Sequence, residues 1–241
     1  MMSLIDTLGF GEQGWGPSLL LAALMTLSLT LVALLIGAVF GALVAMAKLS
    51  RRASLRVVGD LYSTVFRGIP ELLVIYLFYF GGSGLVTYIG QLFGADGYIE
   101  MSPFLVGALG VGMISGSYQA EVYRGAFLAV SKGELEAARA IGMPRAMMAR
   151  RILIPQVLRI AIPGLGNVWQ MSLKDSALIS VTGLVELMRA SQVAAGSTRH
   201  YFTFYIIGGL CYLALTGLSS RFFNRAEAIA KRSQRRALGS H

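Results

Sequence analysis

Apolar residues in this chain fall in long, nearly unbroken runs rather than in a period-two alternation. From Gln13 to Ala47 no residue is charged. Coiled at 1.5 Å per residue, that stretch exceeds the roughly 30 Å hydrocarbon core of a bilayer. Further apolar segments follow at 60–82, 103–128, 158–183 and 202–222. A single long helix buried in a soluble protein would account for the first run but not for its recurrence. The pattern predicts an all-α integral membrane protein of about five transmembrane helices in one transmembrane domain over residues 1–241. The first run is read as a retained membrane helix, because Asp6 and Glu12 precede it without any Lys or Arg, and it is longer than the 7–15 apolar residues of a signal peptide.

Composition agrees. Hydrophobic residues make up 55% of the chain and charged residues 14%, with a mean hydropathy of +0.65; a soluble domain carries about 25% charge. The cations are unevenly placed. Sixteen of the 21 Lys and Arg lie after the first segment (Lys48 to Arg56), after the third (Lys132 to Arg159) and in the tail at 223–241 together with Arg221. The opposite side holds Arg189, Arg199, Asp96, Glu100 and Glu186. The positive-inside rule therefore puts the N-terminus in the periplasm and the C-terminus in the cytoplasm, which requires an odd number of spans. The +9 net charge is explained by anionic lipid beside the spans, with no nucleic acid partner. Trp15, Tyr98 and Tyr201 fall where an outer aromatic belt would lie. Cys211, the one cysteine, sits in the last span as packing material.

The stretch 131–156 is the most informative loop. A helix-forming run over 134–141 precedes Gly142, which suits the positive-φ position after a helix end. Pro144 suits the first turn of a second short helix over 145–154, which Pro155 is expected to terminate. Such a short helix lying on the cytoplasmic face can fill a groove on another protein.

Glu136-Ala137-Ala138, then Gly142, then Ile152-Leu153-Ile154-Pro155 resembles the EAA loop of bacterial ATP-binding-cassette importer permeases, with Ile154 in place of the usual Leu. Phe66-Arg67-Gly68-Ile69-Pro70-Glu71-Leu72, Tyr118-Gln119-Ala120-Glu121-Val122-Tyr123-Arg124-Gly125 and Leu173-Lys174-Asp175-Ser176-Ala177-Leu178 resemble permeases for polar amino acids, closest to the branch handling histidine, lysine, arginine, ornithine and opines. The resemblance implies a type I importer permease in the bacterial inner membrane. It also implies a second homologous permease as partner, a periplasmic substrate-binding protein, and an ATP-binding-cassette ATPase dimer reached through Glu136, Ala137, Ala138, Gly142, Pro144, Ile152 and Pro155. ATP-Mg would sit on the ATPases, since this chain has no phosphate-binding G-x-x-x-x-G-K-[ST] loop of its own. No cofactor is expected on this chain.

Ionisable residues inside spans cost at least about 2.5–3.5 kcal/mol at the bilayer centre and mark partners or wet cavities. Arg67 and Glu71, four apart, and Glu121 and Arg124, three apart, are spaced to pair on helices. Lys174 and Asp175 are adjacent and need partners elsewhere. Pro163-Gly164-Leu165-Gly166-Asn167 is expected to break or bend the fourth span, with Asn167, Gln170, Lys174 and Asp175 following it. Arg67, Glu71, Tyr118, Glu121, Asn167, Gln170, Lys174 and Asp175 are the candidates for a substrate pathway, and Glu71 is the candidate to meet a cationic group. Val168 stands where some homodimeric relatives of the resembled family have an acid, which leaves open that the partner holds the main site. Gly37-x-x-x-Gly41 and Gly112-x-x-x-Gly116 suggest close helix packing.

Two other classes fit less well. A secondary amino-acid transporter working without an ATPase would need internal repeats over more spans. A membrane enzyme would need a nucleophile–base set or a metal cluster, and the two His and one Cys supply neither.

Overall fold

The computed structural model describes residues 7–11 and 14–238, with side chains described as far as residue 229. Among these residues the chain is helical and has no strand. Its main elements are α1 (Gly16–Lys48), α2 (Ala53–Gly68), α3 (Glu71–Leu92), α4 (Pro103–Leu128), α5 (Lys132–Ala140), α6 (Arg145–Thr182), α7 (Leu187–Thr198) and α8 (Tyr201–Leu238). Helices α1, α3, α6 and the Tyr201–Ile229 part of α8 are each long and apolar enough to cross a membrane. They show apolar side chains outward: Leu20, Leu24, Leu31 and Leu35 of α1 are all more than half exposed. A soluble fold would leave that surface unburied; lipid covers it.

The fifth long helix, α4, is less apolar because it is the inside of the bundle. Its 26 residues span about 39 Å, and glycine and serine replace the large apolar residues of the outer helices. The two glycine pairs expected to allow close packing face each other here. A Cβ on Gly37 would overlap Ser115 Oγ and stand 3.0 Å from the Gly112 carbonyl, and one on Gly41 would stand 2.8 Å from Gln119 Cβ. Gln119 is buried in the seam; its Nε2 donates to the Leu34 carbonyl at 3.2 Å, and its Oε1 accepts from Tyr123 Oη at 2.9 Å.

The second crossing differs from the expected single span over 60–82. It is split: α2 is amphipathic and ends at Gly68, Ile69 and Pro70 are extended, and the apolar helix starts at Glu71. Proline disfavours the helical region for the residue before it, which is why the break falls at Ile69. Asp60 lies level with Glu121 through Lys48, Tyr62 Oη donates to the Met113 carbonyl, and Ser83 Oγ accepts from the Met101 N–H. From Pro103 to Glu121 is about 27 Å of helix axis, so α2 and the first half of α3 together run along most of the hydrocarbon thickness.

Two further expectations are corrected. The helix after Gly142 does not stop at Pro155 but runs on through Thr182. A π-turn over Ala149–Leu153 precedes the proline, with the Ile154 N–H bonded to the Ala149 carbonyl; widening the turn makes room for a residue that lacks an N–H. Nor does Pro163 break α6, which stays helical to Asp175. Gly164 and Gly166 are packing positions instead, against Val122 and Phe223. The irregular backbone comes later, as a 3₁₀ segment over Ser176–Thr182 that ends at Gly183 with φ 90°.

Helix α8 continues past the membrane as one helix of 38 residues, so the basic tail, as far as Leu238, extends the last span. Cys211 packs partly buried beside the cluster of Leu19, Leu187, Ala194 and Phe204. Trp15 packs against Phe204 with ring centroids 6.2 Å apart, while Tyr98 and Tyr201 are exposed.

Candidate functional site

The cytoplasmic loop is built by a complete helix stop. Gly142 has φ 77°, its N–H donates to the Arg139 carbonyl at 2.9 Å, and the Met143 N–H donates to the Ala138 carbonyl at 3.0 Å. These two bonds form the Schellman motif, which only a residue free to take positive φ can close cheaply. Pro144 sits one place earlier than expected, as the cap residue of α6 rather than inside its first turn, and its carbonyl accepts from the Met148 N–H at 2.9 Å. Ala138 is buried, and Glu136, Ala137, Gly142, Pro144 and Pro155 are exposed. Between α5 and the start of α6 lies an open cavity of about 550 Å³ bordered by Ala137, Ala138, Ile152 and Pro155. Gln156 Nε2 donates to Glu134 Oε2 across it. Ile141, 78% exposed, stands at the tip beside Gly142.

Above the loop, charges converge from three helices. Lys48, its side chain only 9% exposed, bonds to Glu121, to Asp60 Oδ1 at 3.2 Å and to Ser63 Oγ at 3.1 Å. Arg124 Nε donates to Glu121 Oε2 at 3.0 Å, as its spacing predicted. Arg67 does not pair with Glu71, because the extended Ile69-Pro70 pair ends the helix that would have aligned them. Its carboxylate neighbour is Glu121, with Nη1 4.0 Å from Oε1, and its guanidinium lies 5.4 Å from the Tyr118 ring centroid.

Glu71 meets a different partner. It is a charged neighbour of Asp175, on which Lys174 acts with the opposite sign. The first residue of α3 and the last α-helical residue of α6 thus bring two acids together at two backbone irregularities. Lys174 lines a separate cavity of about 300 Å³ with Tyr205 and Tyr212 of α8. Gln170 Nε2 donates to Ser220 Oγ at 3.1 Å, Asn167 is exposed on α6, and Val168 is buried.

Some polar groups escaped sequence reasoning. Lys48 reads as a loop cation, and nothing local ties it to Glu121, 73 residues away. Glu186 reads as an outer loop charge, yet it is fully buried; it accepts from the Met188 and Arg189 N–H groups and from Tyr212 Oη, each at 2.8 Å. Glutamate is not among the preferred capping residues, so its position before α7 gave no signal. Among the described residues no group of His, Cys, Asp and Glu could hold a metal ion.

The profile of the family described as the binding-protein-dependent transport system inner membrane component matches residues 37–228. The chain belongs to that family. This permease is 50% identical over 237 residues to the octopine transport system permease protein of Rhizobium meliloti, covering 98% of this chain and 100% of that one. It is 37% identical over 207 residues to the histidine/lysine/arginine/ornithine transport system permease protein of Escherichia coli strain K12, covering 86% and 90%. A crystal structure of an amino acid ABC transporter with histidines has a chain that superposes with a TM-score of 0.74 at 33% identity, over 89% of this chain and 94% of that one. The fold is that of a type I importer permease, and the chain is a multi-pass inner-membrane protein.

Proposed function

We propose that this permease translocates basic amino acids or opines inward, powered by separate ATPase subunits that dock under α5. The carrying observation is that Glu71, the first residue of α3, and Asp175, the last α-helical residue of α6, are charged neighbours at two backbone irregularities. Two acids facing each other repel when both are ionised, and an ammonium or guanidinium between them relieves that repulsion. The relatives named for octopine and for histidine, lysine, arginine and ornithine support a cationic, amino-acid-like solute. We assign Arg67, Tyr118 and Glu121 to the cytoplasmic side of this pair along the pathway and Asn167 to its α6 wall, while Gln170 and Lys174 turn toward α8. A second, homologous permease completes the pathway, and a periplasmic binding protein delivers the solute.

The coupling residues are Glu136, Ala137, Ala138, Gly142, Pro144, Ile152 and Pro155. The exposed Ile141 side chain beside the rigid Gly142 stop supports docking into a groove of the ATPase, since an exposed apolar anchor on a fixed loop suits a helix-in-groove contact. ATP and magnesium belong to that partner. Purification of the tagged chain with its associated subunits, followed by uptake of labelled arginine into vesicles, tests the assignment. Uptake that requires ATP hydrolysis and the binding protein is expected. Uptake driven by an ion gradient alone would establish a secondary transporter instead.

A further inference from the structure

The ion-pair cluster around Glu121 carries one more cation than carboxylates, and two of its cations, Lys48 and Arg67, line a cavity together with Asp60 and Glu121. Lys48, Arg67 and Arg124 bring three cations to a cluster that holds two carboxylates, Asp60 and Glu121. Lys48 and Arg124 bond to Glu121 directly, and Asp60 is held by Lys48, so both acids are engaged without Arg67. Arg67 approaches no closer than 4.0 Å to Glu121, and its side chain is 46% exposed. The guanidinium lies over the Tyr118 ring, its carbon 5.4 Å from the centroid, a contact that does not neutralise its charge. It borders an open polar cavity of about 520 Å³ whose walls include the Ser63 and Thr64 side chains.

We propose that this cavity is an anion subsite in which Arg67 takes the carboxylate of the transported solute. A planar guanidinium offers two parallel N–H donors to a carboxylate, a match that lysine cannot provide. The site lies below the extended Ile69-Pro70 break, and the Glu71–Asp175 pair lies above it. The pathway then presents an acidic station followed by a basic one, which suits a solute carrying both a cationic group and a carboxylate. This inference rests on the substrate reading above and adds the recognition of the acid end. Asp60 and Glu121, also on the cavity wall, make the site selective against a second carboxylate near Lys48.

The test uses the purified importer complex, without binding protein or nucleotide, and equilibrium binding of arginine and of argininamide, which lacks the carboxylate. The unaltered complex is expected to bind arginine the more tightly. Arg67→Gln should weaken arginine binding about ten- to hundred-fold and keep argininamide within about twofold, and Arg67→Lys should recover only part of the arginine loss. Equal weakening of both ligands, or no change in arginine binding, would overturn the subsite and leave the cationic station standing. Failure of the unaltered complex to bind either ligand would overturn the substrate reading and the subsite together.

Discussion

The Met143 N–H reaches back over Gly142 to the Ala138 carbonyl at 3.0 Å. This bond ends α5 and turns the chain into α6, which fixes the backbone at the tip proposed to dock. A side chain at position 142 would have to adopt φ 77°, which costs L-residues roughly 1–2 kcal/mol. Gly142→Val is therefore expected to insert normally yet to lose transport and solute-stimulated ATP hydrolysis in reconstituted vesicles. Unchanged stimulation would show that the tip is not the coupling element.

The α1–α4 seam makes a contrast between glycines. Gly37→Ala places a methyl group against Ser115 and Gln119, whereas at Gly209 of α8 nothing lies within 4 Å of an added Cβ. Overpacking should cost Gly37→Ala about 1–3 kcal/mol, seen as a lower thermal midpoint in detergent. Gly209→Ala should hold or raise that midpoint, since alanine is the better helix former.

Lys48 joins α1, α2 and α4, so its removal leaves Asp60 and Glu121 without their shared cation. Lys48→Met should destabilise the permease in detergent. Combining it with Glu121→Gln should cost less than the two single changes added, with a coupling of about 0.5–3 kcal/mol. Strict additivity in thermal denaturation would mean that the three helices are not held by this contact.

Topology can be read chemically in a Cys211→Ala background. Single cysteines at positions 96 and 199 should react with an impermeant thiol reagent in intact cells, and those at 145 and 233 only after lysis. Labelling at 145 in intact cells would invert the orientation drawn from the cation distribution.

What the sequence discloses here depends on range. The Gly142 stop, the Glu121–Arg124 pair and the 103–128 helix are local matters of capping, spacing and hydrophobic length, and each reads directly from neighbouring residues. The α1–α4 glycine seam is half legible, because each motif marks a close approach but not its partner. Lys48 with Glu121 and Glu71 with Asp175 join residues 73 and 104 positions apart, and no periodicity connects them. The prolines show the remaining limit. Pro70, Pro155 and Pro163 look alike as breakers, yet the chain leaves the helix at the first, widens a turn before the second and runs through the third. What decides among them is the packing around each, which the sequence does not display.

The central claim is that the Glu71–Asp175 pair receives the cationic end of the solute, and Glu71→Gln tests it while preserving shape. Losing one charge-assisted contact is worth roughly 1.5–3 kcal/mol, or about ten- to hundred-fold in affinity. The measurement is the apparent affinity for arginine in ATP-driven uptake by vesicles holding the complete importer. We expect Glu71→Gln to weaken it by that factor, with no recovery when Arg67→Gln is added, because Arg67 is placed against Glu121 and Tyr118. Unchanged affinity in the single variant, or its restoration in the double one, would contradict the account.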